Sequence, residues 1–346
     1  MVSRLLLTAL AASSSTKAAA DSATNITVSG LSGGAFFAVQ FHVAFSARVQ
    51  GVGVLAGGPY YCALNNIEVA LGRCMRFPDD INVSELVAVT RSTYATTHTI
   101  DNPDNLLDDQ VWVLSALQDT VVETGVVQAA ADYYTAFVAD PATQIESVFN
   151  TSGEHSFLTV NQGSSCLFKG EPYINACDYD AAGEILQHLN KHTLTTPPAG
   201  ARVDGLDLGQ LLTFDQAPYL EPGFTLEAAG LYDVGYMYAP DACVGGGGGV
   251  SGEGCRVHVA FHGCEMTVPD IGQQFVMNAG YNSWAAANDV IVLYPQATRT
   301  TLNPKGCFDW WGYTGADYAS KLGCQMSAVD KMVTGIASAS TTAAQQ

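Results

Sequence analysis

Residues 30–34 read Gly-Leu-Ser-Gly-Gly, a G-x-S-x-G pattern centred on Ser32. Chemistry at a serine favours this form. Glycines two before and two after the serine keep Cβ atoms out of a crowded strand-to-helix turn. The turn lifts the hydroxyl out of a sheet and aims backbone N–H groups at a developing oxyanion. A serine so placed needs a base, and the base needs an orienting acid. Asp119 follows an apolar run ending at Ala116 and is the candidate acid. Asp108, Asp109 and Asp132 are its rivals, and they read as solvated loop or helix-face acids. His155, in the Gly-containing loop Ser152–Phe157, is the candidate base by position, giving the chain order Ser, Asp, His. Of the other histidines, His188 and His192 read as helix-end residues interacting with the dipole. His258 alternates within a strand, and His42 and His98 lack loop context.

His262-Gly263-Cys264 follows the apolar run Val257–Phe261. A His-Gly at a strand end fits the loop that supplies a second oxyanion donor. A Cys264/His262 thiol dyad is the rival reading. It is rejected because a thiol in an oxidising compartment pairs, and Cys307 is available. The nine cysteines divide by spacing into Cys62/Cys74, Cys166/Cys177 and Cys243/Cys255, a longer-range pair Cys264/Cys307, and a leftover, Cys324. No CxxC spacing occurs among them, so no metal and no cofactor is expected.

The elements that must hold these residues follow from pattern. Asn25–Ser29 is β-prone, Ala35 to about Ala47 is helix-like and apolar, and Gly51–Ala56 is a Gly/Val strand. Val111–Ala116, Ile145–Phe149, Leu231–Tyr238, Val257–Phe261 and Val290–Tyr294 read as further strands, and 121–138 and Asp180–His188 as helices. Strands alternating with helices predict an α/β fold with a mainly parallel sheet. Thr193–Gly205 reads as a linker or surface crossing, Gly245–Gly249 as a loop tip, and residues from Ala337 onward as a disordered tail. A single domain over 21–336 is expected.

The 346 residues carry a net charge of −19 and are 48% hydrophobic, ample for a core. The acidic balance argues against nucleic acid and against an anionic membrane as partners. Residues 1–20 have the form of a secretory signal: Arg4, the apolar run Leu5–Ala12, then Ala18-Ala19-Ala20. Sequons at Asn25, Asn82 and Asn150, together with the cysteines, fit a secreted glycoprotein.

Taken together, VSGLSGGAFFAVQF, LAGGPYYCA, LQDTVV, SGEHSF, INACDYDAAG, VHVAFHGC, GYNSWAAANDVIVLYPQA and GCFDWWGYTG resemble the secreted fungal-type polyhydroxybutyrate (PHB) depolymerases. Those are single-domain, circularly permuted α/β hydrolases, and the matching stretches run from about Val28 to Gln325. The permutation is legible here, because the HGC strand comes long after Ser32. The resemblance implies Ser32 as nucleophile, Asp119 as acid and His155 as base. It also implies oxyanion donors on the amides of Gly33 and Cys264, a cleft wall at Trp310, and four disulfides among the eight cysteines other than Cys324. The chain departs from the family pattern at Gly33, where a serine is frequent, at Phe308, and at Cys324. The implied activity is ester hydrolysis of an aliphatic hydroxyacid polyester by a monomer. Alternatives are a secreted carboxylesterase acting on feruloyl, acetyl or short-chain esters, and a non-catalytic effector that keeps the fold.

Overall fold

The first apolar segment forms strand β1 (Ile26–Leu31), and after the turn at Ser32 the chain enters helix α1 (Gly33–Ala44) and strand β2 (Val49–Leu55). The structure is a computed structural model that describes residues 26–244 and 254–338. The expected signal at 1–20, Asn25, the glycine loop tip and residues 339–346 lie outside the described residues. The last helix reaches Ser338, two residues into the stretch expected as tail.

Strands β3 (Gln110–Leu114) and β4 (Ile145–Val148) continue the same sheet. Three short strands, β5 (Phe157–Thr159), β6 (Ser164–Ser165) and β7 (Ile174–Ala176), form a second, three-stranded sheet. The chain then returns to the large sheet with β8 (Gly209–Asp215), β9 (Val234–Pro240), β10 (Arg256–Phe261) and β11 (Val290–Tyr294). The eight-stranded order is β4-β3-β2-β1-β10-β11-β9-β8. Six of these strands, β4 through β11 in that order, are mutually parallel.

The longer helices after α1 are α2 (Val83–Thr97), α3 (Thr124–Tyr134), α4 (Ala181–Leu189), α5 (Tyr281–Asn288) and α6 (Cys324–Ser338). Strand side chains alternate between faces, and β2 shows what each face needs. A Cβ at Gly53 would meet Ile185 and one at Gly51 would meet Leu189, both on α4. Val54, on the opposite face, lies beside the same Gly57 position as Ala35 of α1. The glycines of the Gly/Val strand therefore let α4 approach one face while α1 covers the other. Helix α1 is buried along its whole length.

The sheet is mainly parallel, as expected, and β9 is the exception: it pairs antiparallel with both β11 and β8. The link between β8 and β9 holds only short helical turns, Ala217–Tyr219 and Leu226–Ala229, and an antiparallel neighbour needs no long crossover. The Thr193–Gly205 stretch crosses the surface between elements of one sheet, pinned where Tyr238 Oη–H donates to the Gly205 carbonyl at 2.8 Å. Because β1 and β10 are neighbours near the middle of the sheet, the strand that opens the described chain is central in space. This is the permuted α/β-hydrolase arrangement.

Candidate active site

Ser32 occupies the turn between β1 and α1 with φ 55° and ψ −123°. A non-glycine residue at positive φ is strained, and such strain clusters at functional turns. The turn exists because backbones approach closely there. A Cβ at Gly30 would lie 2.3 Å from the Gly34 carbonyl oxygen, and one at Gly34 would lie 2.3 Å from the His262 carbonyl oxygen.

Parallel strands send their following loops off the same sheet end, and a relay of backbone hydrogen bonds ties those loops together. Ser32 N–H donates to Leu55 O at the end of β2, and Ala56 N–H donates to Leu114 O at the end of β3. Ser115 N–H donates to Val148 O at the end of β4, and Leu117 and Gln118 N–H donate to Thr151 O and Gly153 O. Loops bearing Ser32, Asp119 and His155 are thereby stitched edge to edge.

Within this assembly His155 Nδ1–H donates to Asp119 Oδ2 at 2.8 Å, and both side chains are buried. Asp119 Oδ1 accepts the amides of Val121 and Val122 at 2.8 and 3.0 Å. Burial pushes the Asp119 carboxyl up, but the charge and hydrogen bond of His155, with the two amides, leave it below its ordinary value. A carboxylate fixed on Nδ1–H sets the imidazole tautomer and leaves Nε2 as the acceptor.

The HGC loop after β10 meets the Ser32 turn. A Cβ at Gly33 would lie 2.8 Å from Cys264 Sγ and 3.3 Å from Trp310 Cδ1 and Nε1. Gly33, Cys264 and Trp310 therefore lie against one another. His262 is fully buried and holds this loop: Nδ1–H donates to Gly263 O at 2.7 Å and Nε2 accepts Ala297 N–H at 3.1 Å. Burial pushes the His262 imidazole down to about 4, so it stays neutral. Disulfides join Cys62–Cys74, Cys166–Cys177, Cys243–Cys255 and Cys264–Cys307, while Cys324 is a buried free thiol at the start of α6.

Sequence reading missed two positioning acids. Glu154 Oε1 accepts Thr120 N–H (2.8 Å), Thr120 Oγ1–H (3.0 Å) and His155 N–H (2.8 Å), clamping the acid loop to the base loop. The Asp309 carboxylate takes the amides of Trp311, Gly312, Tyr313 and Thr314 together with the Thr314 hydroxyl. It folds the loop that carries Trp310, whose ring stacks on Phe36 at 4.4 Å. The signal for Glu154 was its place between glycine and histidine in SGEHSF. Asp309 had only its neighbouring tryptophans.

Two sequence readings need correction. Asp109 is not a solvated loop acid: it is buried and bonds His42 Nε2 at 3.0 Å, with Tyr134 Oη on His42 Nδ1 at 2.9 Å. His188 is also buried, and its partners are the Gln144 carbonyl just before β4 and the Glu146 side chain on β4 rather than its own helix terminus. Asn82 and Asn150 are exposed. Asn82 Oδ1 caps α2 by accepting Glu85 N–H at 3.1 Å.

No protein-family model matches the chain. Poly(3-hydroxybutyrate) depolymerase of Delftia acidovorans is 41% identical over 320 residues, 91% of this chain. The chain spans 60% of the length of that relative. Polyhydroxybutyrate depolymerase of Talaromyces funiculosus is 32% identical over 88% of this chain and 87% of its own length. Among solved structures, PHB depolymerase from Penicillium funiculosum superposes with a TM-score of 0.77 at 31% identity, covering 91% of this chain and 96% of that one. A serine-to-alanine variant of PHB depolymerase complexed with an R3HB trimer gives a TM-score of 0.78 at the same identity and coverage. With sequence likeness running nearly end to end and the same permuted sheet beneath it, this chain belongs to the polyhydroxybutyrate depolymerase family.

Proposed function

We propose that the protein is a secreted serine esterase that hydrolyses poly(3-hydroxybutyrate)-type polyesters or their oligomers through Ser32, His155 and Asp119. The observation that carries this reading is the 2.8 Å Asp119–His155 contact on loops stitched to the strained Ser32 turn. Four disulfides fit an oxidising, extracellular setting, and no helix among the described residues is long and apolar enough to cross a membrane.

In the reaction His155 Nε2 takes the Ser32 proton as Oγ attacks the ester carbonyl carbon. The tetrahedral oxyanion lies against the amides of Gly33 and Cys264. Collapse breaks the ester bond, and the proton returns from His155 to the leaving alkoxide, which departs as a hydroxyl-terminated fragment. Water then attacks the acyl-enzyme with His155 again as base, releasing the acid and regenerating Ser32. Asp119 keeps the imidazole in the productive tautomer and stabilises its cation. Each oxyanion donor contributes about 10²–10³ in rate. Trp310, buried against Phe36 and next to Gly33, forms an apolar wall for the acyl chain. A neutral polyester suits a protein of net charge −19.

The test is turnover of R-3-hydroxybutyrate trimer and PHB film beside feruloyl and acetyl-xylan esters. Preference for the hydroxybutyrate substrates, lost in Ser32→Ala, supports the reading. Preference for the aryl or xylan esters overturns the substrate assignment, and full activity in Ser32→Ala overturns the mechanism.

A further inference from the structure

Glu146, His188 and His192 come together away from the loops just described. Glu146 lies on the edge strand β4, His188 in the last turn of α4, and His192 on the turn beyond it. Their nitrogen and oxygen ligand atoms lie within 4.8 Å of one another. The helix places this cluster at the sheet end opposite Ser32. Leu189 of α4 sits over Gly51 at the start of β2, whereas Ser32 bonds Leu55 at the end of that strand.

The hydrogen-bond pattern at His188 singles the cluster out. Its Nε2–H donates to the Gln144 carbonyl at 3.0 Å, which makes that nitrogen the protonated one. Nδ1 then faces Glu146 Oε2 at 3.0 Å with the ring side chain 5% exposed. In the neutral tautomer two lone-pair acceptors confront each other, and a cation resolves that confrontation. An imidazole held through one N–H on a backbone carbonyl, with the other nitrogen turned toward a carboxylate, matches how metal-ligating histidines are oriented. Glu184 lies one helical turn before His188, near Glu146 and His192. A cavity of about 360 Å³ opens beside His188 and His192 and gives access from solvent.

We propose that Glu146, His188 and His192 form a binding site for a zinc-type divalent cation that ties the end of α4 to β4. Metal–ligand distances of about 2.0–2.2 Å set tetrahedral ligand atoms about 3.3–3.6 Å apart. The cluster closes to that spacing chiefly by movement of His192, which is exposed on a turn where Lys191 and His192 have φ 53° and 56°. Imidazole and carboxylate donors suit Zn²⁺, and Glu184 or water completes the shell.

The test is titration of Zn²⁺ alone into the chelator-treated full chain at neutral pH, read by calorimetry and by Tm. One equivalent binds, Tm rises by a few degrees, and both His192→Asn and Glu146→Gln bind at least about tenfold more weakly. Asparagine accepts a left-handed backbone, so His192→Asn retains the fold, checked by circular dichroism and by unchanged trimer hydrolysis. Wild-type protein that binds no Zn²⁺ overturns the proposal and leaves His188 as an ion-pair partner of Glu146. Equal binding by both variants also overturns it, because the ion then sits elsewhere.

Discussion

Ser32 stands at positive φ, and the glycines around it are dictated by contacts under 3 Å. Side-chain type therefore matters most at this scale. Ser32→Ala should lower kcat on the hydroxybutyrate trimer by about 10⁴ or more. Asp119→Asn should lower it by roughly 10⁴, because an amide can present its NH₂ to Nδ1 and favour the wrong tautomer. Glu154→Gln weakens the clamp between Thr120 and His155 without touching substrate. Its expected signature is a roughly 10–10²-fold fall in kcat with KM nearly unchanged. A KM effect alone would show that Glu154 shapes binding instead. Residue types and strand-end positions singled out Ser32, Asp119 and His155, which the fold places on adjoining loops. Glu154, Asp309 and Asp109 were not legible, since a buried acid satisfied by backbone amides or a distant histidine looks like any other loop acid until the chain folds.

At the scale of elements, the close approach of β1, α1 and β10 fixes the site. Gly34→Ala would drive a methyl into the His262 and Phe261 carbonyls, and such overpacking costs about 3 kcal/mol. Urea unfolding should show that loss, accompanied by loss of activity; a neutral substitution would mean that α1 can move away freely. The central strands were legible because buried parallel strands are continuous apolar runs. The direction of β9 was not, because an apolar run does not encode polarity. Helix α2 is hard to read from sequence, because its many Thr and Val residues lower helix propensity. The Asn82 cap and tertiary packing override that weakness. Strand β8 was missed as an edge strand with a partly exposed, mixed pattern.

For the whole molecule, cross-links and buried histidines set the conditions for stability. The Cys264–Cys307 bridge closes a 43-residue separation, which corresponds to about 4 kcal/mol of unfolded-state restriction. Replacing both cysteines with serine should lower Tm and kcat together. The same change at Cys62 and Cys74 should lower Tm while sparing kcat more, and equal effects on kcat would detach Cys264 from the site. Burial pushes His258 down to about 3 and His262 down to about 4. Both fall below the unfolded value of about 6.5. In acid the unfolded chain binds protons that the folded chain refuses. Stability is therefore full above about pH 6.5 and falls by up to about 1.4 kcal/mol per pH unit per histidine as pH drops toward the folded values. Urea unfolding between pH 7 and pH 4.5 checks this, and His262→Gln should shed about one proton from the slope. The lowered Asp119 carboxyl acts in the same direction at lower pH, its contribution being present above about pH 3.9 and lost below it. The central claim, that Ser32 accepts the acyl group, is tested most directly by peptide mapping after treatment with a fluorophosphonate during PHB hydrolysis. The account predicts one phosphonyl adduct on Ser32, formed in step with loss of hydrolysis and absent in His155→Ala. An adduct on a different residue, or complete hydrolysis with Ser32 fully modified, would contradict it.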